Sequence, residues 1–255
     1  MVHTEGRQAD LIIGNNVFAH VPDINDFANG LKSLLKPKGT ITLEFPHLMR
    51  MIELSQFDTA YHEHFSYLSF QTAKTILEKV GLSIWDVQEL ATHGGSLRIF
   101  AGHSDDSKEE TPAVSALLAE ETRRGMRQPH LYRTFQASAD RIRDDFRTFL
   151  EAQKASGRKV VAYGAAAKGN TLLNYAKIKP DLLPFVCDAA TAKQGKLMPG
   201  SLIPIVPSSV LQEQRPDCLV ILPWNLAEEV ATQLGYIKEW GGRFITAVPE
   251  LRFFG

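Results

Sequence analysis

Apolar residues recur along the chain at spacings that predict alternating strands and helices. Residues 9–15 form a short apolar run typical of a buried strand. Asp23 can then cap a helix with an apolar stripe, and the Lys-Pro-Lys-Gly run at residues 36–39 ends that helix. Residues 40–45 are predicted to form the next strand, which Pro46 ends. This strand–helix–strand unit predicts a parallel sheet.

The remaining pattern predicts further elements of both kinds. We expect helices over residues 69–80, 112–156 (interrupted near 125–129), 207–214 and 226–234. We expect strands over residues 82–87, 96–101, 159–163, 185–188, 218–222 and, as the last one, 243–247. The polar run at 103–110 suggests a domain boundary. We therefore predict an α/β protein with a first domain over 1–105, a helical connection over 106–156 and a second α/β domain over 157–255.

Composition narrows the class of protein. Of the 255 residues, 44% are hydrophobic and 22% are charged, which is typical of a soluble globular protein. The formal net charge is −1, so no overall field favours nucleic acid or a membrane surface. No apolar run reaches the ~20 residues of a spanning helix, and the N-terminus does not resemble a signal peptide. We therefore expect a cytoplasmic protein without nucleic-acid or membrane partners.

The two cysteines are expected to be structural. Cys187 and Cys218 each lie in a short apolar run, which predicts buried, reduced thiols rather than a disulfide. Because the sequence has no Cys-x-x-Cys motif, we expect no structural zinc site, and we assign no metal-binding residues in this chain.

The run Tyr61-His62-Glu63-His64 combines a phenol, two imidazoles and a carboxylate. On a strand, Tyr61 and Glu63 would share one face and the two histidines the other. On a turn, Tyr61 and His64 could converge, since residues three apart are then neighbours. A partly buried histidine or carboxylate has the adjustable pKa that general acid–base catalysis needs. The alternatives are a His-x-His metal pair or a surface tetrapeptide without a role.

Polar side chains also follow the first two predicted strands. Ligands of parallel sheets bind beyond the carboxyl ends of the strands. This rule places Asn15, Asn16 and His20 on the functional edge after the first strand, and Glu44 and His47 after the second. His20 could equally be a loop histidine near a helix start.

Two glycine-containing turns let the backbone approach a ligand closely. The turn at residues 92–96 is also explained by a hairpin bend. Residues 164–169 form a G-x-A-x-x-G variant of the dinucleotide fingerprint, in which a pyrophosphate rests on a helix N-terminus and Lys168 adds positive charge. Asp188 follows at about the spacing of a ribose contact, which taken literally predicts an NAD site. Lys193 begins a basic, Gly-rich segment that could clamp phosphates or only connect elements.

Five segments together resemble the nucleotide-sugar C-methyltransferases, which are S-adenosylmethionine-dependent enzymes of deoxysugar biosynthesis. They are Asn-Asn-Val-Phe-Ala-His-Val-Pro-Asp at 15–23, Tyr-His-Glu-His at 61–64, His-Gly-Gly-Ser-Leu-Arg at 93–98, the glycine turn and helix at 163–175, and Lys-Gln-Gly-Lys-Leu-Met-Pro-Gly at 193–200. The five occur in one order and extend over nearly the whole chain. The resemblance implies the C-terminal half of a doubly wound methyltransferase sheet, followed by a second Rossmann-like α/β domain.

The resemblance also implies a reaction. A base removes the acidic proton from a sugar carbon next to a keto group, an enolate forms, and the enolate attacks the sulfonium methyl group. His64 is then the expected base, with Tyr61 as the alternative. Glu63 and His20 are expected to orient the base or to hydrogen-bond the developing enolate oxygen, a kind of stabilisation that dominates such barriers.

Ligand contacts follow from the same resemblance. Asn15 and Asn16 are expected to contact S-adenosylmethionine. The nucleotide sugar is expected to contact the residues His93, Ser96, Arg98, Gly164, Lys168, Gly169, Asn170, Asp188 and Lys193. The alternatives are an NAD-dependent oxidoreductase that uses the turn at 164–169 and a noncatalytic module that binds sugar nucleotides.

Two segments of the family pattern are expected to be missing from this sequence. They are the N-terminal zinc-binding segment and the Gly-rich first half of the methyltransferase domain, neither of which precedes Ala9. We therefore expect the chain to bind S-adenosylmethionine poorly or not at all. A doubly wound sheet without its first strands also exposes an edge. This predicts self-association at that edge or disorder of the first ~20 residues.

Overall fold

The computed structural model describes residues 6–106 and 108–255. The chain folds into two compact units. The first unit comprises Met1–Glu53 and His62–Arg133, and the second comprises Leu54–Tyr61 and Thr134–Gly255. These bounds differ from the predicted segments 1–105, 106–156 and 157–255, since the first unit extends to Arg133 and the short segment Leu54–Tyr61 joins the second.

A mixed four-stranded sheet forms the centre of the first unit. Its strands are β1 (Ala9–Asn15), β2 (Leu35–Pro46), β3 (Leu82–Leu90) and β4 (Ser96–His103). They lie in the order β1-β2-β4-β3. β1 and β2 are parallel, as predicted, while β4 runs antiparallel to both of its neighbours. The helices are α1 (Ile24–Leu34), α2 (Leu48–Glu53), α3 (Phe70–Lys79) and α4 (Pro112–Arg123).

The predicted helix starts of this unit are confirmed. The Asp23 carboxylate accepts hydrogen bonds from the backbone N–H groups of Asn25 and Asp26 at the start of α1. The Ser69 hydroxyl accepts from Thr72 N at the start of α3. Strand β2 begins earlier than the predicted residue 40, because Leu35 is fully buried and pairs with Ala9 of β1.

Helix α4 and the polar run before it belong to the first unit, which is why its boundary lies beyond residue 105. Lys108 Nζ donates to Gly39 O at 2.6 Å, and Asp106 Oδ1 accepts from Lys38 N at 3.0 Å. The buried Glu121 of α4 accepts from Phe70 N at the start of α3. The predicted linker is therefore tied to the sheet.

Strand β1 lies at the edge of the described sheet. Leu11 and Ile13 project from it with 53% and 65% of their surfaces exposed. The expected exposed edge is therefore present, and self-association through it stays a prediction. The expected disorder is wrong for Ala9–Asn15, which form β1, while residues 1–5 lie outside the described part of the chain.

The second unit contains a six-stranded sheet. Its strands are β5 (Val160–Tyr163), β6 (Val186–Cys187), β7 (Ile205–Val206), β8 (Cys218–Ile221), β9 (Arg243–Thr246) and β10 (Arg252–Phe254). Their order is β10-β9-β8-β5-β6-β7, and all neighbours are parallel except β10 and β9. The chain order reverses direction beside β5, and ligands of open α/β sheets bind at such a switch point. The turn that follows β5 is therefore placed at a ligand-binding position.

Helices cover this second sheet. They are α5 (Pro129–Ala155, within this unit from Thr134), α6 (Ala167–Tyr175), α7 (Val210–Gln214) and α8 (Ala227–Gln233). The expected break between two helices near residues 125–129 is confirmed, because α4 ends at Arg123 and α5 begins at Pro129. The expectation that residues 243–247 form the last strand is wrong, since β10 follows β9 as a three-residue edge strand too short to give a periodic signal.

Both cysteines are buried and free, as predicted. Burial raises the pKa of the Cys187 thiol to about 12, so this side chain behaves as an apolar core residue. No helix within residues 6–106 and 108–255 is long and apolar enough to cross a membrane.

Candidate active site

His20 and His64 lie next to each other in the first unit. The turn after β1 is closed by a hydrogen bond from His20 N to Val17 O of 2.9 Å. The backbone N–H groups of Phe65 and Ser66 both donate to Ala19 O, which holds the segment after the Tyr-His-Glu-His run against this turn. As a result the His20 and His64 ring centroids are 4.8 Å apart.

The surroundings of this histidine pair are partly apolar. Both histidines are half-buried. The Tyr67 ring lies edge-on to His64 at a centroid distance of 6.0 Å. A half-buried imidazole keeps access to a substrate, as a general base requires.

The other members of the Tyr-His-Glu-His run are placed differently. The backbone of residues 61–63 forms a bend and turn, so the strand alternative is wrong. The His62 side chain is 88% exposed, and Glu63 Oε1 lies 4.0 Å from His62 Nε2. Tyr61 belongs to the second unit, where its N–H donates to Thr59 O. The described ion-pair partner of Glu63 is thus His62. The expected role of Glu63 toward the base stays a prediction.

A second group of polar side chains surrounds Glu44, a buried residue near the carboxyl end of β2. Its two carboxylate oxygens accept from Arg98 Nη2 at 2.9 Å and from Thr92 Oγ1 at 3.0 Å. The buried Ser96 donates its hydroxyl to Thr92 O. Thr92 was part of a predicted turn but had no assigned role, because its contact with Glu44 links residues 48 positions apart.

The predicted cofactor amides lie beside this group. Asn15 is exposed at the carboxyl end of β1 and pairs in register with Glu44. Asn16 has a φ of 54°, and its Nδ2 lies 3.3 Å from His93 Nε2. Primary amides both donate and accept hydrogen bonds, and binding of S-adenosylmethionine at this edge stays a prediction. The structure thus brings Asn16, His93, Ser96 and Arg98 together in one unit.

In the second unit, the turn after β5 is fixed by backbone geometry. Gly164 has a φ of +97°, and a Cβ atom there would lie 2.4 Å from Pro223 Cδ. Gly169 also packs closely, since a Cβ atom there would lie 2.8 Å from Leu222 Cβ. Both glycines are therefore required by close approach of neighbouring residues, and α6 begins within the segment 164–169, at Ala167.

Asp188 holds the turn in place. Its Oδ2 accepts from Ala165 N at 2.7 Å and its Oδ1 accepts from Ala190 N at 2.8 Å. Lys193 Nζ lies 3.3 Å from Asp188 Oδ2. Two of the predicted ligand contacts, Asp188 and Lys193, are thus brought together, and the carboxylate supports the backbone of the turn in addition to any ribose contact.

Lys168 and Asn170 lie on the first turns of α6. Lys168 Nζ is 4.2 Å from the centroid of the Trp224 ring and 3.2 Å from Asn225 Oδ1. Burial lowers the pKa of Lys168, and the charge of Asp58 partly offsets this. Asn170 Oδ1 accepts from Asn174 Nδ2 at 3.2 Å. A lysine that is partly desolvated before a ligand arrives binds an anion with less loss of hydration.

Comparison with known proteins gives the family of the chain. The family model described as the C-methyltransferase C-terminal domain matches residues 91–249, which is more than half of the chain. The chain belongs to the C-methyltransferase family. A methyltransferase-domain model matches residues 2–87. His20 and His64 therefore lie in the region matched by the methyltransferase domain, and the turn at 164–169 lies in the family's C-terminal domain.

One relative extends the comparison to nearly the whole chain. C-methyltransferase NovU of Streptomyces niveus is 38% identical over 251 residues, which cover 98% of this chain and 60% of NovU. This C-methyltransferase chain thus spans about 60% of the length of that relative.

Solved structures give weaker likenesses. An S-adenosylmethionine-dependent methyltransferase from Mesorhizobium loti is 13% identical, with a TM-score of 0.32 over 37% of this chain and 62% of that one. The magnesium protoporphyrin IX methyltransferase of Synechocystis PCC 6803 is 16% identical, with a TM-score of 0.31 over 40% and 48%. The fold of this family member follows from its own strand order instead.

Nothing in the sequence indicates the buried carboxyl of Asp58. Asp58 is 1% exposed, and burial raises its pKa to about 6, against the opposing effects of Lys168 and a hydrogen bond from Trp224. It lies between Phe57 and Thr59 without a motif around it, so nothing local distinguishes it. No group of three or more metal-ligating side chains was found among the residues that the structure describes.

The raised pKa of Asp58 predicts a pH-dependent stability. The pKa of Asp58 is higher in the folded chain than in the unfolded chain, so protonation at low pH favours the folded state. The free energy of unfolding should therefore fall by up to about 3 kcal/mol as pH rises from about 4 to about 7. Asp58→Asn should remove this loss, which urea unfolding across that range measures. Asp140→Asn should act in the opposite sense, since a hydrogen bond from Tyr175 lowers the pKa of Asp140. Parallel pH profiles for wild type and Asp58→Asn would contradict the prediction.

Proposed function

We propose that this chain supplies the proton-abstraction and sugar-nucleotide-binding parts of a C-methyltransferase that acts on a keto-deoxysugar nucleotide. The observation that carries the proposal is the contact between His20 and His64, whose ring centroids lie 4.8 Å apart in a half-buried setting. Membership of the C-methyltransferase family supports the reaction type. The name of NovU supports the same class of enzyme.

The substrate carbon must lose a proton before it can be methylated. A ketone acidifies the C–H bond on the neighbouring carbon, so a neutral imidazole can remove that proton. His64 acts as this base, with Tyr61 as the alternative, and the enolate oxygen that develops needs a hydrogen-bond donor. His20 is close enough to His64 to orient it or to serve the enolate. S-adenosylmethionine, when bound beside Asn15 and Asn16, supplies the electrophilic methyl group.

The nucleotide diphosphate is assigned to the second unit. The turn at 164–169 ends at the N-terminus of α6, where backbone N–H groups and the helix dipole favour an anion. Lys168 adds a cation, and Asn170 adds an amide on the same helix. An NAD-dependent oxidoreductase is not favoured, because the family is that of C-methyltransferases.

Ligand-dependent stability tests this proposal. A 4-keto sugar nucleotide at a hundredfold its dissociation constant should stabilise the chain by about 2.7 kcal/mol, and thermal unfolding should show the shift. NAD at the same concentration should not. Lys168→Ala should reduce the protection, while Lys154→Ala, an exposed partner of Asp181 in the same unit, should keep it. Protection by NAD but not by the sugar nucleotide would favour the oxidoreductase.

A further inference from the structure

Asp58 belongs to the second unit, although the short segment that carries it comes from the first half of the sequence. It lies in a 3-10 helix, Phe57–Thr59, that packs along α6. The rings of Phe57 and Tyr175 have centroids 5.4 Å apart, and Thr171 Oγ1 lies 3.4 Å from Ala60 O. These contacts fix the segment on the helix that carries Lys168.

One of the two carboxylate oxygens of Asp58 has a described hydrogen bond to another side chain. Its Oδ2 accepts the indole N–H of Trp224 at 2.7 Å. Its Oδ1 is buried and has no hydrogen-bond partner among the residues that the structure describes. Burying a carboxylate with an incomplete set of donors costs free energy. The charge of Asp58 raises the pKa of Lys168, and the charge of Lys168 lowers the pKa of Asp58, so the two groups interact.

Trp224 connects the carboxylate to the lysine. Its N–H edge is fixed by Asp58, and the ammonium group of Lys168 lies over its ring at 4.2 Å. A cation over an indole face is attracted by the ring quadrupole, and the attraction strengthens when water is excluded. Lys168 Nζ also donates to Asn225 Oδ1 at 3.2 Å. The indole therefore has one orientation, and that orientation defines where the ammonium group sits.

We propose that Asp58 is a positioning residue that, through Trp224, holds the Lys168 ammonium group beside the turn at 164–169 to bind a diphosphate. This inference rests on the proposed function, because the diphosphate is the one assigned there to the sugar nucleotide. It adds two residues to the binding site that touch no substrate atoms: Asp58 acts on Trp224, and Trp224 acts on Lys168. The anion class is a nucleoside diphosphate, for which inorganic pyrophosphate is the minimal probe.

Two variants test the role of the carboxylate and the role of the indole separately. Asp58→Asn keeps an oxygen that can accept the indole N–H but removes the charge. Trp224→Phe keeps an aromatic face but removes the N–H. Trp240→Phe is the matched control, because it removes an indole N–H that donates to Pro216 O elsewhere in the same unit. Thermal unfolding of each variant shows that it is folded.

The first measurement is the titration of Lys168 itself. The pKa of the ammonium group can be followed by NMR of the lysine side chains, with Lys168→Arg to assign the signal. Asp58→Asn should lower the pKa of Lys168 further, because the carboxylate charge raises it in the wild-type chain. Trp240→Phe should leave it as in wild type. A purely structural role of Asp58 would not move this titration.

The second measurement is calorimetric binding of pyrophosphate and of a nucleoside diphosphate. Asp58→Asn and Trp224→Phe should each weaken binding roughly 3- to 30-fold, because each loosens the ammonium group from its position over the indole, and cation–π contacts from exposed to desolvated span this range. Trp240→Phe should bind as wild type. Unchanged affinity in both variants overturns the inference, whatever the Lys168 titration shows, while the proposed function stands. A wild-type chain that binds neither ligand overturns both, and the titration then shows whether the three side chains are coupled at all.

Discussion

His64→Gln should slow removal of the proton next to the ketone roughly 10²- to 10⁴-fold, the usual contribution of a general base. Glutamine keeps a hydrogen-bonding side chain of similar reach but cannot take up the proton. The step can be measured without a methyl donor. In D₂O the carbon-bound proton of a 4-keto sugar nucleotide is replaced by deuterium whenever the base removes it, and NMR follows the loss of the proton signal.

Three further variants assign the roles around His64. His62→Gln is the matched control, since its side chain is 88% exposed and it should exchange at the wild-type rate. Tyr61→Phe tests the alternative base. His20→Gln should slow exchange less than His64→Gln if His20 orients the base or serves the enolate. Wild-type exchange in His64→Gln with loss in Tyr61→Phe would transfer the role of base to Tyr61.

Local signals made much of the fold predictable. Asp23 and Ser69 each stand directly before an apolar helical stripe, and both cap the helix that follows. The apolar runs that became β1 and β2 flank α1, which fixed their parallel pairing in advance. The glycine turn after β5 was visible because Gly164 and Gly169 stand at the spacing of a phosphate-binding turn.

Contacts between distant residues were not predictable. Asp58 meets Trp224 across 166 positions, and the segment that carries it leaves its sequence neighbours to join the second unit. The hydrophobic periodicity of the sequence does not indicate that this segment joins the second unit. Asp188 shows a different limit, since its spacing predicted a ribose contact while its carboxylate also binds the backbone of the turn. Spacing indicates that an acid belongs near the turn but not which atoms it contacts.

Glu121→Ala should destabilise the first unit by about 3–5 kcal/mol, because the change leaves several buried donors unsatisfied at about 1–3 kcal/mol each. The Glu121 carboxylate accepts from Phe70 N at 2.6 Å and Gln71 N at 2.9 Å, at the start of α3. His47 Nε2 lies 2.8 Å from the same carboxylate, and both side chains are almost fully buried. One side chain from α4 therefore caps α3 and binds a histidine that follows β2.

The neighbouring Glu120 provides the comparison for this change. It pairs with Arg123 and Arg124 on the exposed face of α4, where solvent screens the interaction, so Glu120→Ala should change the free energy of unfolding far less. Urea unfolding of both variants gives the difference directly. Equal stabilities would mean that water replaces Glu121 at the helix start. A large difference would mean that α4 stabilises the first unit, because the start of α3 would then depend on a carboxylate from α4.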